Sequence, residues 1–110
     1  SCVTAADVPA IADHCDIANL KLMKTGSLSE ARRLIAAARA HGLELMCGCM
    51  IESNASIAAA AQLAPLLDYA DLDGSLLLAE DPYDGVDLSA GEIRLSDCDR
   101  AGTGARLRSE

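Results

Sequence analysis

Apolar positions along the first 75 residues alternate between helical spacing and short continuous runs. Residues 4–14 place Val8 and Ile11 on one side behind Thr4, which predicts a helix capped by Thr4. Residues 17–21 form a short apolar run and predict a strand. Ser27-Leu28-Ser29-Glu30 has the capping-box form, in which Ser27 and Glu30 satisfy each other's free amides. Behind it Leu28, Ala31, Leu34, Ile35 and Ala38 recur at helical spacing, with Arg32, Arg33 and Arg39 on other faces. Gly42 follows His41 where a helix stop is expected. Residues 43–49 predict a second strand. Ser53 or Asn54 then opens an alanine-rich helix to about residue 64, and residues 69–73 predict a third strand.

The order is helix and strand, three times over. Each strand-to-strand crossover contains one helix, which predicts a parallel sheet of α/β type. Such repetition suits a doubly wound sheet or a (β/α)8 barrel. No GxGxxG or GxxxxGK[ST] follows a strand, so dinucleotide and P-loop folds lose support. Past Gly74 the pattern weakens. Asp81-Pro82-Tyr83-Asp84-Gly85 reads as a turn, residues 92–95 as a short strand, and residues 97–110 as a loose polar tail.

Composition narrows the function classes. The 110 residues include no Trp or Phe and two Tyr, so small aliphatic side chains must build the core. The formal net charge is −8, and between Arg39 and Arg94 ten acidic residues stand without one Lys or Arg. Such a surface repels a phosphate backbone and argues against nucleic acid as a partner. It suits a cationic ligand or a metal. The five cysteines are odd in number, and Cys47-Gly48-Cys49 lacks the usual zinc spacing. Cys47 reads as a small apolar strand residue, and the context as reducing and cytoplasmic. No apolar run approaches the ~20 residues of a membrane span. His14 and His41 fall at helix C-termini, where a capping or surface role is expected.

Two segments carry candidate chemistry. Asn19-Leu20-Lys21-Leu22-Met23-Lys24-Thr25-Gly26 puts Lys21 at the end of the first strand. Asp71-Leu72-Asp73-Gly74 puts two carboxylates two residues apart on the third, where strand geometry turns both to one face. Two like charges side by side favour a bound cation. The candidate polar groups all sit at strand C-terminal ends, where barrel enzymes place catalytic groups. A complete barrel needs about 250 residues, so this chain corresponds to less than half of one.

These two segments and Gly48-Cys49-Met50-Ile51-Glu52, in this order and spacing, resemble the C-terminal part of dipeptide epimerases. That is the L-Ala-D/L-Glu epimerase group of the enolase superfamily. The resemblance implies a partial (β/α) barrel of about three parallel units, barrel strands six to eight. Residues 1–85 would be barrel, and 86–110 a C-terminal extension with room for partial disorder. It implies that Lys21 is the acid/base lysine on one face of the substrate α-carbon. Asp71 and Asp73 would hold the dipeptide's α-ammonium, and Cys49, Met50 and Ile51 would contact substrate. Asn19 would support Lys21, with Glu52 either bonding within the site or capping the next helix. The implied cofactor is Mg²⁺, its ligands and a second catalytic lysine lying outside this sequence, as does a capping domain. The fragment alone is then expected to be inactive. The implied partner is a small dipeptide, with no nucleic acid or membrane; a homo-oligomer is compatible with this. Alternatives are a muconate cycloisomerase or N-acylamino-acid racemase, and a non-catalytic half-barrel binding module. The Asp-x-Asp argues against the first two, whose substrates lack a free ammonium there.

Overall fold

The structure, a computed structural model, describes residues 2–95 and 99–109. Ser1, Ser96, Asp97, Cys98 and Glu110 lie outside them. The chain begins with a 3₁₀ turn, Ala5–Asp7, that runs into a single helical turn, α1 (Val8–Ile11). The single helix expected over 4–14 is thus two short pieces, because Pro9 permits only a helix start there. Asp7 accepts from the N–H groups of Val3 and Thr4 at 2.9 and 2.8 Å.

Strand β1 (Ile17–Lys21) follows as expected, then a helical turn, α2 (Leu22–Thr25), absent from the sequence expectation. Gly26, at φ 84°, closes that turn, and its N–H donates to the Leu22 carbonyl at 2.8 Å. Helix α3 (Leu28–Ala40) starts where the capping box predicted. Half of the box forms: the Glu30 N–H donates to Ser27 Oγ at 3.1 Å. The Glu30 carboxylate instead accepts from the Ala5 N–H at 2.9 Å, tying the first turn of the chain to α3. Gly42, at φ 75°, ends α3 with the Leu43 N–H reaching back to the Ala38 carbonyl. Strand β2 (Glu44–Gly48) and helix α4 (Asn54–Ala61) complete the second unit.

The strands align in one parallel sheet of order β1-β2-β3, where β3 is Tyr69–Ala70. β1 and β3 are its outer strands. The third strand is shorter than the expected 69–73. The Asp71 N–H still donates to the Cys47 carbonyl at 2.9 Å, but Asp73 is already helical (φ −83°, ψ −1°) and caps a 3₁₀ turn, Gly74–Leu77. The strand geometry invoked for Asp71 and Asp73 therefore does not extend to residue 73. The alternation of burial survives: Leu72 is 3% exposed, and both flanking aspartates face solvent.

Ala18, Leu20, Leu45 and Cys47 turn to the helix layer, where they meet Leu34, Ala38, Ile57 and Ala61 in one buried cluster. Ala31 and Ala58 are fully buried too, so small side chains bring helices close to the sheet. The C-terminal segment adds a two-stranded antiparallel pair, β4 (Tyr83–Asp84) with β5 (Arg106–Leu107). The strand expected at 92–95 is a single bridge, Arg94 to Asp87.

Candidate active site

β1 turns Ile17 and Asn19 away from the core, and Lys21, its last residue, follows the same alternation. The Thr25 hydroxyl donates to the Lys21 carbonyl at 3.0 Å, which pins the strand end to α2. Lys21 lies in register with Gly48. Because Gly48 has no side chain, those of Asn19 and Lys21 lie across it. A Cβ there would stand 3.2 Å from Asn19 Oδ1 and 3.4 Å from Lys21 Cε. The Gly48 N–H donates to Asn19 Oδ1 at 3.1 Å. Among the described residues the Lys21 ammonium makes no hydrogen bond or ion pair.

β2 runs into Cys49, Met50 and Ile51, with Met50 41% and Ile51 65% exposed. Glu52 is 5% exposed. One of its oxygens accepts from the Met50 N–H at 3.3 Å, and the other from the Ser56 hydroxyl in α4 at 2.8 Å. It thus ties the loop backbone to a side chain of α4, whose N-cap is Ser53.

The Cys49 thiol is held above its ordinary range, first by burial and then by the negative charges of Asp73, Asp71 and Glu52; the Gly74 N–H opposes them. The side-chain carboxylates of Asp71 and Asp73 accept no hydrogen bond and form no ion pair among the described residues. Burial pushes Cys47, on the opposite face, up to about 11. It is a fully buried apolar residue, as its strand position suggested. His41 Nδ1 lies 2.8 Å from the Ala37 carbonyl at the end of α3, and His14 is exposed.

Two hollows adjoin these residues. One of about 160 Å³ is bounded by Asp71, Leu72 and Asp73, with Leu88 and Ile93 of the C-terminal segment opposite. A wider cleft of about 400 Å³ follows the free side of β1, between α1 and Lys21. Sequence reasoning assigned no role to Gly48, Gly74 or Ser56. The two glycines stood inside the motifs, and their smallness at a strand end was the signal. Nothing local marked Leu88 and Ile93.

A magnesium ion asks for several hard oxygen ligands in octahedral array. Among the described residues no three His, Cys, Asp or Glu side chains gather to hold a metal. The Cys49 thiol feels both aspartates, and a soft thiol is not a magnesium ligand. The residues of this chain do not by themselves fit the cofactor that the resemblance implies.

Parallel strand-helix units with ionisable groups at the strand C-termini are the arrangement of a TIM-barrel-type α/β domain. The chain belongs to the family described as Enolase C-terminal domain-like, whose profile matches residues 2–110. It is 48% identical over 91 residues to the "Hydrophobic dipeptide epimerase" of Flavobacteria bacterium, covering 83% of this chain and 26% of that protein. It is 44% identical over 107 residues to the "L-Ala-D/L-amino acid epimerase" of Flavobacterium johnsoniae, covering 97% and 31%. A crystal structure of a dipeptide epimerase from Methylococcus capsulatus, complexed with Mg and the dipeptide L-Arg-D-Lys, superposes with a TM-score of 0.84. It shares 44% identity, over 94% of this chain and 30% of that one. The chain thus spans less than a third of the length of these relatives, and the resemblance to dipeptide epimerases read from its motifs holds. No helix among the described residues is long and apolar enough to cross a membrane.

Proposed function

We propose that this chain is the part of a cytoplasmic dipeptide epimerase that supplies barrel units six to eight. Its substrate is a dipeptide such as L-Ala-L-Glu, inverted at one α-carbon. The observation that carries this reading is one cation at the end of β1 and two anions just past β3, unpartnered among the described residues. Among the described residues the Lys21 ammonium has no hydrogen-bond or ion-pair partner, nor have the Asp71 and Asp73 carboxylates. Unpaired charges at the rim of one sheet are ready for a ligand that carries both a proton to be moved and a cation to be held. The names of the relatives at 44–48% identity support the same substrate class.

In this reading Lys21, as the neutral amine, takes the α-proton from one face of the substrate carbon and becomes an ammonium. A proton returns to the opposite face from a group that this chain does not supply. Asp71 and Asp73 hold the free α-ammonium by charge-assisted hydrogen bonds. Cys49, Met50 and Ile51 lie along the dipeptide, Asn19 steadies the strand end beneath Lys21, and Glu52 supports the loop. Mg²⁺, bound by residues outside this chain, would stabilise the negative charge left by proton loss. The 110-residue chain alone is therefore inactive.

The test is α-proton exchange in deuterated solvent on L-Ala-L-Glu with Mg²⁺, in a longer protein that contains this chain. Exchange that disappears on chelation, and in Lys21→Ala disappears from the stereoisomer whose α-proton faces Lys21, is the expected result. A longer protein that exchanges no dipeptide α-proton overturns the reading. Lys21-dependent exchange by the 110 residues alone would overturn the proposed fragment inactivity.

A further inference from the structure

The loops after β2 and β3 meet at Gly74. A Cβ on Gly74 would collide with the Met50 carbonyl oxygen and stand 3.1 Å from Cys49 Sγ. Gly74 does not have a positive φ, so close approach rather than an unusual backbone angle calls for glycine here. The Gly74 N–H also acts on the Cys49 thiol, opposing the rise that burial imposes on it. Asp73 is the residue immediately before this contact.

The Met50 backbone is fastened at its other end, on the preceding peptide, as well. Its N–H donates to Glu52, whose second oxygen accepts from Ser56 on α4. Glu52 is 5% exposed and has no cation within ion-pair distance among the described residues. Burying an unpaired carboxylate is costly, and these two hydrogen bonds are what offset the cost. A continuous chain of contacts therefore runs from α4 to Asp73: the Ser56 hydroxyl, the Glu52 carboxylate, the Met50 peptide, then Gly74.

We propose that Glu52 is a positioning residue. Acting through the Met50 peptide on Gly74, it sets the gap between residues 49–51 and the aspartates that hold the substrate ammonium. This rests on the dipeptide reading above. A dipeptide gripped at its α-ammonium lays its next peptide and side chain along Met50 and Ile51. Both contacts can be made together only at one separation of the two loops. Lys21 stands on β1, outside this chain of contacts, so proton transfer in the bound complex is affected less than binding.

The test uses the longer active protein, L-Ala-L-Glu kinetics and backbone amide hydrogen exchange. Loss of the two bonds in Glu52→Ala is expected to raise KM roughly tenfold, with kcat within about threefold of wild type. Glu52→Gln can still accept from Met50 while donating to Ser56, and is expected to recover most of the lost affinity. Gly74→Ala is expected to show the same KM-weighted defect. Amide exchange at residues 73–76 is expected to accelerate in Glu52→Ala, a readout that needs no substrate. Unchanged exchange there in a folded Glu52→Ala overturns the proposal. So does a Glu52→Gln as damaged as Glu52→Ala, which would assign the effect to charge instead of position. If Glu52→Ala does not fold, Ser56→Ala removes one of the two bonds and is read by the same measurements. If the wild type turns over no dipeptide, the functional reading fails, while amide exchange still decides whether the loops are coupled.

Discussion

Asn54 grips Val86 by both sides of its backbone. The Val86 N–H donates to Asn54 Oδ1 at 3.0 Å, and Asn54 Nδ2 donates to the Val86 carbonyl at 3.1 Å. The Asn54 N–H in turn donates to the Asp81 carboxylate at 2.7 Å, so α4 begins on a residue that anchors the C-terminal segment. Asn54→Ala is expected to cost about 2–3 kcal/mol, since two hydrogen bonds vanish and two backbone groups lose their partner. Asn54→Asp keeps the acceptor and should fall in between. Urea midpoints of the three proteins check this, and an Asn54→Ala midpoint equal to wild type would refute it.

Lys21→Ala is expected to abolish epimerisation in the longer protein while leaving its far-UV circular dichroism unchanged. Among the described residues the side chain bonds none, so its loss orphans no partner there. Deuterium exchange from one stereoisomer of the dipeptide should vanish before exchange from the other. Turnover at the wild-type rate would remove Lys21 from the reaction.

Asp73→Asn should weaken binding of the free dipeptide by roughly tenfold or more, the effect of losing a charge-assisted bond of about 1.5–3 kcal/mol. An N-acetylated dipeptide carries no positive charge, so the wild type should use it poorly and the variant should discriminate less. Comparing kcat/KM for both substrates in both proteins decides it. A wild type that prefers the acetylated form would point to an N-acylamino-acid racemase.

The thiols offer a map of the site. Cys49 is half-buried beside Asp71 and Asp73, whereas Cys47 is buried and pushed up to about 11. Iodoacetamide near pH 8 should therefore label Cys49 well before Cys47, faster as the pH rises and thiolate grows. Bound dipeptide should slow labelling of Cys49 and leave Cys15 unaffected. Cys15 lies across the sheet edge, in the cleft beside β1. Peptide mapping by mass spectrometry reads the order, and labelling of Cys47 first would contradict this burial pattern.

Several carboxylates are held below their ordinary range. For Asp68 the cause is first the Arg39 guanidinium and then the Leu45 N–H; for Asp7 it is the Thr4 and Val3 N–H groups; for Glu30, the Ala5 N–H. A lowered value in the fold means stabilisation that is complete above the ordinary carboxylate range. It is lost as pH falls through the lowered values. The urea midpoint should therefore be flat from pH 7 to about 5 and fall below about pH 4. Arg39→Ala should shrink that fall, and an unchanged acid limb would exclude Asp68 from it.

Much of the fold was legible because its determinants are local. The spacing of Leu28, Ala31, Leu34, Ile35 and Ala38 marked α3, and Ser27 and Gly42 marked its ends. β1 was read to the residue. What escaped depends on partners far along the chain. Glu30 was paired with its own helix end but bonds Ala5, 25 residues away, and no short-range rule contains that contact. The third strand was read too long because alternation of burial continues through Leu72 after the ladder has ended. In the candidate site the charged residues could be found from the sequence, since a lysine or an aspartate pair at a strand end is conspicuous. The contact that holds their loops together could not, because Gly74 acts by lacking atoms.

Among the described residues β1 has a strand neighbour on one side only, and Ile17 on it is 41% exposed. Five residues of open ladder beside an apolar side chain form a template on which another extended chain can grow. A preparation of these 110 residues by themselves thus has a built-in concentration ceiling, set by sticking along this margin and not by unfolding of the core. A lysine in place of Ile17, pointing outward on the same margin, is the simplest way to raise it.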